Sequence, residues 1–252
     1  MDERKLLGKF IIKGTIKVLT GLHIGGKDLG ISIGGMDNPI VRNPINGEPY
    51  VPGSSLKGKM RALMERALNK KLELVERKNK IRRHECKDPD CKICRVYGAS
   101  KEENIPSRLI VRDAFLTEES IKKLENMETD TRYAEWKTEN SLDRITCAAV
   151  PRPIERVPAG AEFGFELIYT NENEKHCIED LNLIKQALEL VEDDYLGGGG
   201  SRGNGKVKFE IKEIIYKPVE YYISGDPSKI VRKELKKDEK FDEIIKEMLN
   251  GK

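Results

Sequence analysis

The order of its periodic segments constrains this chain more than any other feature of the sequence. Two segments repeat apolar residues at intervals of three and four, from Leu56 to Ala67 and from Leu181 to Val191, and these predict amphipathic helices. Four other segments have the pattern of strands, three of them with alternating apolar and polar residues. They are Lys9–Thr20, Ser107–Phe115, Phe163–Thr170 and Lys206–Ile214. Along the chain the order is therefore strand, helix, strand, strand, helix, strand.

This order is that of a ferredoxin-like sheet, whose RNA-binding form is the RRM. We therefore predict an α+β fold, with an RRM/ferredoxin-like antiparallel sheet core and large inserted loops. We expect one domain over residues 1–252. Its parts are a core of about 9–70, 105–116 and 160–216, an insert at 71–104, a thumb-like insert at 117–158 and a charged C-terminal helix at 228–250.

Charge and cysteine content limit the class of protein. Lys and Arg number 46 against 43 Asp and Glu, so the net charge of +3 does not by itself indicate a nucleic-acid partner. The N-terminus lacks the apolar core of a signal peptide, and no apolar run is long enough to span a bilayer. Five cysteines, an odd number, argue against a secreted disulfide framework. We expect a cytoplasmic protein with no membrane partner.

A cysteine cluster in the stretch RRHECKDPDCKIC has the spacing of a metal site. Its four candidate ligands are His84, Cys86, Cys91 and Cys94. Such a set can close a tetrahedral zinc site without an open position for water, which makes the predicted Zn²⁺ structural. The alternative is a group of unliganded thiols beside a chance histidine, but C-x-x-C next to a third cysteine disfavours it. His84 is the weakest ligand, because the fourth position could be supplied from elsewhere.

A glycine-rich stretch, LGGGGSRGNGKV, precedes the last strand. Gly200, Gly205 and Lys206 fit the phosphate-loop spacing G-x-x-x-x-G-K, but Val207 stands where Ser or Thr would bind magnesium. Because a helix also precedes the loop, an NTPase is disfavoured. The loop suits close approach by a phosphodiester chain, with Arg202 as one of its cations. A helix C-cap is the alternative, although the stretch holds more glycines than a cap requires.

Two further segments carry candidate anion contacts. Ser54 and Ser55 are N-cap candidates for the first helix, and a helix N-terminus with nearby cations favours phosphate. The cations in its first turns are Lys57, Lys59 and Arg61, and the alternative for each is a solvated face. His23 lies in a glycine-flanked turn after the first strand.

Asp37 stands in IGGMDNPIVRNP, between a glycine pair and Asn-Pro. Nothing nearby pairs it with a second carboxylate or a general base. Taken alone, the local sequence favours a turn residue over a catalytic one.

Six stretches in order resemble one known family. They are GTIKVLTGLHIGG, IGGMDNPIVRNP, YVPGSSLKGKMRALME, RLIVRDAFLTE, TENSLDRITCAAVPRPIERVPAGAEFGFELIY and LVEDDYLGGGGSRGNGKVKF. Together they are similar to the backbone subunit of the type III-A CRISPR (Csm) effector complex, in the RAMP superfamily of RRM-like RNA-binding proteins. The resemblance runs from Lys9 to about Phe209.

The resemblance implies copies of the chain stacked as a filament along a CRISPR guide RNA, together with other Csm subunits. It implies cleavage of complementary target RNA with Mg²⁺ or Mn²⁺, and Asp37 matches the catalytic aspartate. The thumb that kinks the guide–target duplex would lie around residues 129–144. Asp113 and Glu139 also match family positions, without a firm role. RNA contact is carried onto His23, Ser54, Ser55, Lys57, Lys59, Arg61, Gly199, Ser201 and Arg202.

Two other functions stay open from the sequence. A non-catalytic RNA-binding scaffold of the same complex is the first alternative. A stand-alone guide-processing endonuclease is the second, but it would require an acid–base histidine set, and the chain has only three histidines.

Overall fold

The computed structural model describes residues 4–26, 39–76, 78, 80–100, 104–128, 131–235 and 240–250. Strands within these ranges are β1 Gly8–Val18, β2 Tyr50–Val51, β3 Glu73–Glu76, β4 Ile81–Arg83, β5 Leu109–Val111, β6 Ala114–Leu116, β7 Glu135–Leu142, β8 Ala149–Arg156, β9 Glu162–Asn171, β10 Val207–Pro218 and β11 Val231–Glu234. Helices are α1 Gly53–Ala67, α2 Lys92–Tyr97, α3 Glu118–Glu125, α4 Glu174–Asp193, α5 Val219–Ser224 and α6 Phe241–Asn250, with short 3₁₀ turns at Gly200–Arg202 and Pro227–Lys229.

The main sheet has the order β11-β10-β1-β9-β6-β2, and β5 also pairs with β9. Each of these pairings is antiparallel. The four segments predicted as strands thus occur in the spatial order fourth, first, third, second, which is the ferredoxin-like order. The predicted α+β fold with an antiparallel sheet is confirmed.

The core lies between this sheet and the helices α1 and α4. Phe10, Ile12 and Ile16 of β1 are at most 1% exposed. They share one face of the strand because side chains alternate with a period of two. Lys13 and Lys17, at alternate positions of the same strand, face the other side and pair across strands with acids of β9. The apolar pattern of β1 therefore sets which face of the sheet receives the helices.

The second predicted strand, Ser107–Phe115, is two short strands. β5 and β6 are separated by Arg112 and Asp113. The Arg112 N–H still donates to the Glu166 carbonyl of β9 at 3.1 Å. The Asp113 carboxylate accepts a hydrogen bond from the Gly53 N–H at 2.7 Å. The break therefore places Asp113 at the start of α1, where it forms a hydrogen bond with a residue 60 positions away.

The C-terminal segment differs from the single helix expected over residues 228–250. It forms a 3₁₀ turn, then β11, then α6. β11 adds to the outer edge of β10, whose unpaired N–H and C=O groups attract a strand regardless of local helix propensity. The helix that does form, α6, buries Phe241, Ile244 and Met248 and packs against α4.

The thumb-like insert expected over residues 117–158 contains regular structure. α3 begins at the N-cap Thr117, whose hydroxyl accepts from the Ser120 N–H, and it buries Leu124. β7 and β8 then form a separate two-stranded hairpin. In the part of the chain described, no helix is long and apolar enough to cross a membrane.

Candidate metal centre and nucleic-acid interface

The four predicted metal ligands converge on one point. Their ligand atoms all lie within 4.8 Å of one another. Cys86 Sγ is 3.7 Å from Cys94 Sγ, and His84 Nε2 is 3.3 Å from Cys91 Sγ. Thiolates bound tetrahedrally at about 2.3 Å from Zn²⁺ lie about 3.8 Å apart, so the donor set and its spacing fit zinc.

Short elements of the insert bring these ligands together. His84 follows β4 directly, while Cys91 is the N-cap of α2 and Cys94 lies within its first turn. His84 Nδ1 is 3.0 Å from the Lys71 carbonyl oxygen. With Nδ1–H donating to that carbonyl, Nε2 is the ring nitrogen free to bind a metal, as is usual for ligating histidines.

The cluster stabilises negative charge. A hydrogen bond from the Cys94 thiol lowers the pKa of Cys91 to about 3. Donating this bond to a thiolate raises the pKa of Cys94, and burial raises the pKa of Cys86. A bound cation favours the thiolate form of every ligand, so the arrangement suits a divalent ion better than neutral thiols.

A buried ion-pair network fixes the metal insert to the body. Arg95, one residue after Cys94, donates from Nε to Asp180 of α4 at 2.7 Å. The Tyr169 hydroxyl donates to the same carboxylate at 2.8 Å, and Arg108 Nη1 lies 3.2 Å from it. The Arg95 side chain is 3% exposed and that of Asp180 is 0% exposed. Glu179 also pairs with Arg95, and Glu172 with Arg108, so the network has partners both in the interior and nearer the surface. Removing Asp180 would take away its fully buried centre.

Arg61, predicted as an RNA contact, makes a second connection to the insert. Its Nη2 donates to the His84 carbonyl at 2.6 Å and its Nη1 to the Gly98 carbonyl at 3.0 Å. Glu65 accepts from the Arg61 Nε at 2.7 Å and from the His84 N–H at 3.1 Å. In this structure the Arg61 guanidinium joins α1 to the metal insert.

The other predicted cations of α1 also have protein partners. Lys57 Nζ donates to the Ser107 hydroxyl at 2.7 Å and to the Leu109 carbonyl at 2.8 Å, and burial lowers its pKa. Lys59 Nζ lies 2.8 Å from an Asp194 carboxylate oxygen and 3.5 Å from the centre of the Tyr195 ring. RNA contact by these lysines therefore stays a prediction.

The capping role suggested for Ser54 and Ser55 is wrong. The N-cap of α1 is Pro52, with no side-chain cap, and Asp113 accepts from the Gly53 N–H instead. Ser54 is exposed and Ser55 half-buried at this helix end. Both stay candidates for contact with a ligand, a role that the capping geometry does not decide.

His23 and the glycine-rich loop pack directly against each other. The Gly198 N–H donates to the His23 carbonyl at 2.7 Å, and His23 Nδ1 is 2.6 Å from the Glu155 carbonyl oxygen. A Cβ at Gly197 would lie 2.2 Å from the His23 carbonyl oxygen, and one at Gly205 would lie 2.1 Å from that of Leu196. Packing within the chain thus requires these two glycines, beyond any need of a helix cap or an RNA strand.

The base of the β7–β8 hairpin joins the same assembly. Lys137 Nζ donates to the Arg202 carbonyl at 3.1 Å, and the Arg202 guanidinium pairs with Glu139 of β7. Arg156 of β8 donates from Nη1 to Asn204 Oδ1 at 3.0 Å. Between hairpin and loop lies a groove of about 540 Å³, lined by residues 139–141 and 151–154 and by Arg202. Ser201 is exposed and Gly199 half-buried beside it.

Asp37 itself lies outside the described residues, but the residues flanking 27–38 are placed. The Gly26 N–H donates to the Pro39 carbonyl at 2.9 Å, and the Val41 N–H donates to the Ile24 carbonyl at 2.8 Å. Ile40 N–H donates to a Glu155 carboxylate oxygen at 2.8 Å. The two ends of the segment that carries Asp37 therefore meet beside the His23 turn and the hairpin base.

Glu155 was not predicted from the sequence, although its hydrogen bonds connect several segments at this end of the molecule. Its buried carboxylate also accepts from Arg42 at 2.6 Å and from Thr131 at 2.9 Å. Burial opposes ionisation, but these hydrogen bonds outweigh it and lower the pKa of Glu155. The partners of its carboxylate lie 24 to 115 positions away in the chain, so local sequence held no signal for the role.

Comparison with known proteins adds to this geometry. The model of the RAMP superfamily matches residues 15–208. The chain is 43% identical over 227 residues to a protein named "CRISPR system Cms endoribonuclease Csm3" from Methanothermobacter thermautotrophicus, covering 84% of this chain and 88% of that protein. It is also 43% identical over 237 residues to the protein of the same name from Methanocaldococcus jannaschii, covering 91% and 90%.

A solved structure has a similar fold. The crystal structure of a Csm3–Csm4 subcomplex of the type III-A CRISPR-Cas interference complex superposes with a TM-score of 0.63 at 32% identity, covering 98% of this chain and 97% of that one. Sequence and fold match over nearly the whole length, glycine-rich loop included. The chain therefore belongs to the RAMP superfamily.

Proposed function

We propose that this chain is the guide-RNA-binding backbone subunit of a type III-A CRISPR interference complex and cleaves complementary target RNA. The observation that carries the proposal is the 43% identity, over nine-tenths of both chains, to a relative named an endoribonuclease of a CRISPR system. Its partners are guide RNA, target RNA, further copies of itself and other Csm subunits. The complex acts in the cytoplasm.

The geometry supports binding of an RNA strand at one end of the sheet. The His23 turn, the glycine-rich loop and the hairpin base adjoin one another there. The ends of the segment that carries Asp37 are fastened to the same assembly through Glu155. An RNA strand held along the groove would thus pass next to the loop with the acid.

Asp37 is the proposed catalytic residue. The 2′-hydroxyl of the target loses its proton to water and attacks the adjacent phosphorus in line. The bond from phosphorus to the 5′-oxygen of the next nucleotide breaks, which leaves a 2′,3′-cyclic phosphate and a 5′-hydroxyl that takes its proton from water. A bound Mg²⁺ or Mn²⁺ would stabilise the charge that develops on the phosphate. The Asp37 carboxylate would hold and orient that ion, while the hairpin would position the strand for in-line attack. Asp37 need not act as a strong base.

The insert has a different proposed role. Its three cysteines and His84 fit a closed zinc site, which leaves no position for a substrate. We assign it a structural Zn²⁺, separate from the ion used in cleavage.

Cleavage by the reconstituted guide-loaded complex tests Asp37. A labelled complementary RNA is incubated with Mg²⁺ or Mn²⁺ and complexes carrying wild type, Asp37→Ala or Asp28→Ala, the last being an acid of the same sequence segment. We expect regularly spaced cuts with wild type and Asp28→Ala. With Asp37→Ala we expect target binding without cuts.

Cuts that persist with Asp37→Ala would instead make this chain a non-catalytic scaffold. That is the second candidate function, and the structural groups described above serve it equally well. Failure of the wild-type complex to retain guide RNA would contradict both candidates.

A further inference from the structure

One buried carboxylate joins the β7–β8 hairpin to the chain that follows Asp37. Glu155 belongs to β8, opposite Trp136 of β7, and its side chain is 6% exposed. Its Oε2 accepts from the Ile40 N–H at 2.8 Å, and its Oε1 accepts from Arg42 Nη2 at 2.6 Å. These two residues stand three and five positions after Asp37. A strand of the hairpin thus holds this stretch by one backbone hydrogen bond and one ion pair.

The carboxylate is not what closes the segment with the acid. The Gly26 N–H donates to the Pro39 carbonyl at 2.9 Å, and the Val41 N–H donates to the Ile24 carbonyl at 2.8 Å. These backbone bonds already join the two ends of the segment to each other. Burying a charge costs free energy unless it is paired and hydrogen-bonded. What Glu155 adds for that cost is a fixed position of the joined ends relative to the hairpin.

The turn before β7 gives the carboxylate a third partner. Thr131 Oγ1 donates to Glu155 Oε1 at 2.9 Å, and Arg42 Nη1 donates to the Arg132 carbonyl at 2.8 Å. Tyr133 in the same turn is 1% exposed and has φ +66°, in the left-handed region that bulky residues avoid. Such a backbone conformation persists only where the surrounding structure over-determines it. The turn therefore presents its donor to the carboxylate from a fixed position.

We infer that Glu155 is a positioning residue for cleavage. Its carboxylate sets where the chain after Asp37 lies relative to the hairpin, and so relative to a target strand bound beside the hairpin. The inference rests on the proposed function, in which Asp37 holds the metal ion. Glu155 acts through Asp37 and needs no contact with the ion or the target. A misplacement of about 1 Å in a reacting group can cost about a hundredfold in rate.

The three donors require acceptors on both oxygens. A carboxylate has two oxygens that only accept, which matches an N–H, a guanidinium and a hydroxyl. The amide of Glu155→Gln has one such oxygen, so its NH₂ group faces either the Ile40 N–H or the Arg42 guanidinium, while the Thr131 hydroxyl can turn to accept. Glu155→Gln therefore removes one anchor of the chain after Asp37 and keeps the size of the side chain.

Single-turnover cleavage by the reconstituted guide-loaded complex tests the inference. Complexes of wild type, Glu155→Gln or Glu125→Gln receive saturating labelled target RNA over a series of Mg²⁺ concentrations. Glu125→Gln is the matched control. Among the described residues, the Glu125 carboxylate accepts from Arg132 at 3.0 Å and from the Tyr133 hydroxyl at 2.7 Å, in the same turn but not in the chain after Asp37.

For Glu155→Gln we expect the rate to fall about tenfold to a hundredfold, with target affinity unchanged. The Mg²⁺ concentration that gives half the maximal rate should rise, because a displaced Asp37 holds the ion less well. A merely structural defect would lower the amount of assembled complex and leave the metal dependence of the remainder as in wild type. Glu125→Gln should match wild type in rate and in Mg²⁺ dependence. Thermal unfolding of each chain is measured in parallel.

Thr131→Val is the second variant. It removes one neutral donor and keeps the size of the side chain, so it decides the matter if the Glu155→Gln complex does not assemble. We expect a fall of about threefold in rate, with the Mg²⁺ dependence shifted in the same direction.

A wild-type rate and Mg²⁺ dependence in the assembled Glu155→Gln complex would overturn the inference alone and make the carboxylate a structural group. A lower rate with unchanged Mg²⁺ dependence and weaker target binding would overturn it as well. Cuts by the Asp37→Ala complex would overturn the proposed catalytic role of Asp37 and the inference together.

Discussion

Two segments leave the sheet between its strands, and the structure ties them to the body in opposite ways. The metal insert, residues 71–104, is fastened through Arg95 and Asp180, whose side chains are almost completely buried. Within the described residues, the hydrogen bonds and ion pairs given above join the β7–β8 hairpin to the body at its base, and Ile145 at its turn is 92% exposed. Its strand β8 also carries Pro151 and Pro153, which have no N–H to offer another strand.

This contrast indicates different purposes. A buried charge network costs desolvation and is repaid only when every group has a partner, so the insert is a permanent part of the fold. A lone two-stranded hairpin is marginally stable in water, and exposed apolar side chains mark a surface for a partner. We assign stability to the insert and RNA contact to the hairpin.

Loss of a metal ligand should have the largest effect on metal content and stability of all the changes considered for the two segments. Cys94→Ala removes a ligand from the closed site, and we expect metal content to fall from about one equivalent of zinc to none, with unfolding of the insert. Elemental analysis and thermal unfolding measure both effects.

Cys147→Ala is the matched control, because that cysteine lies exposed in the hairpin turn. It should keep full metal content and stability. Equal metal content in Cys94→Ala and wild type would show that the cluster is not a zinc site.

The buried ion pairs give the next largest effect. Asp180→Ala removes the fully buried carboxylate shared by Arg95 and Arg108, which keep Glu179 and Glu172 as partners, and we expect the free energy of unfolding to fall by about 3 kcal/mol. Glu189→Ala, on the same helix but in an exposed pair with Lys185, should cost less than about 0.5 kcal/mol. Chemical denaturation measures both, and equal costs would refute a buried anchor for the insert.

The hairpin turn should give the smallest change in stability. Ile145→Ser is expected to alter the free energy of unfolding by less than about 0.5 kcal/mol, since the side chain is nearly fully exposed already. Target-RNA binding by the assembled complex should nevertheless weaken. A large loss of stability would mean that the hairpin turn packs within its own chain.

Periodicity was enough to predict the core. The apolar positions of β1 and α4 point inward as their spacing requires, because burial on one face follows from local geometry. Periodicity failed where a distant partner decides the outcome. β11 forms because β10 offers a free edge, and α1 is capped by Asp113 from 60 positions away.

The same distinction applies to the candidate site. The spacing of the four metal ligands was enough to predict the cluster, because they lie within eleven consecutive residues. The sequence could not show which lysines would be solvated. Lys57 is half-buried and donates to the Ser107 hydroxyl and the Leu109 carbonyl. Glu155 and Asn204 acquire their meaning from contacts across the fold, which a single sequence does not encode in any local pattern.

The closure at Gly26 and Pro39 has a consequence for evolution. The hydrogen bonds that join Ile24 and Gly26 to Pro39 and Val41 bring the two ends of residues 27–38 together. Lengthening a chain segment whose ends are already joined is cheap, about 0.6 kcal/mol for each doubling of its length. We therefore expect changes in the length of the segment that carries Asp37 to cost the rest of the fold little stability. Under the proposal that Asp37 cuts, cutting and holding RNA would be separable traits, open to independent selection.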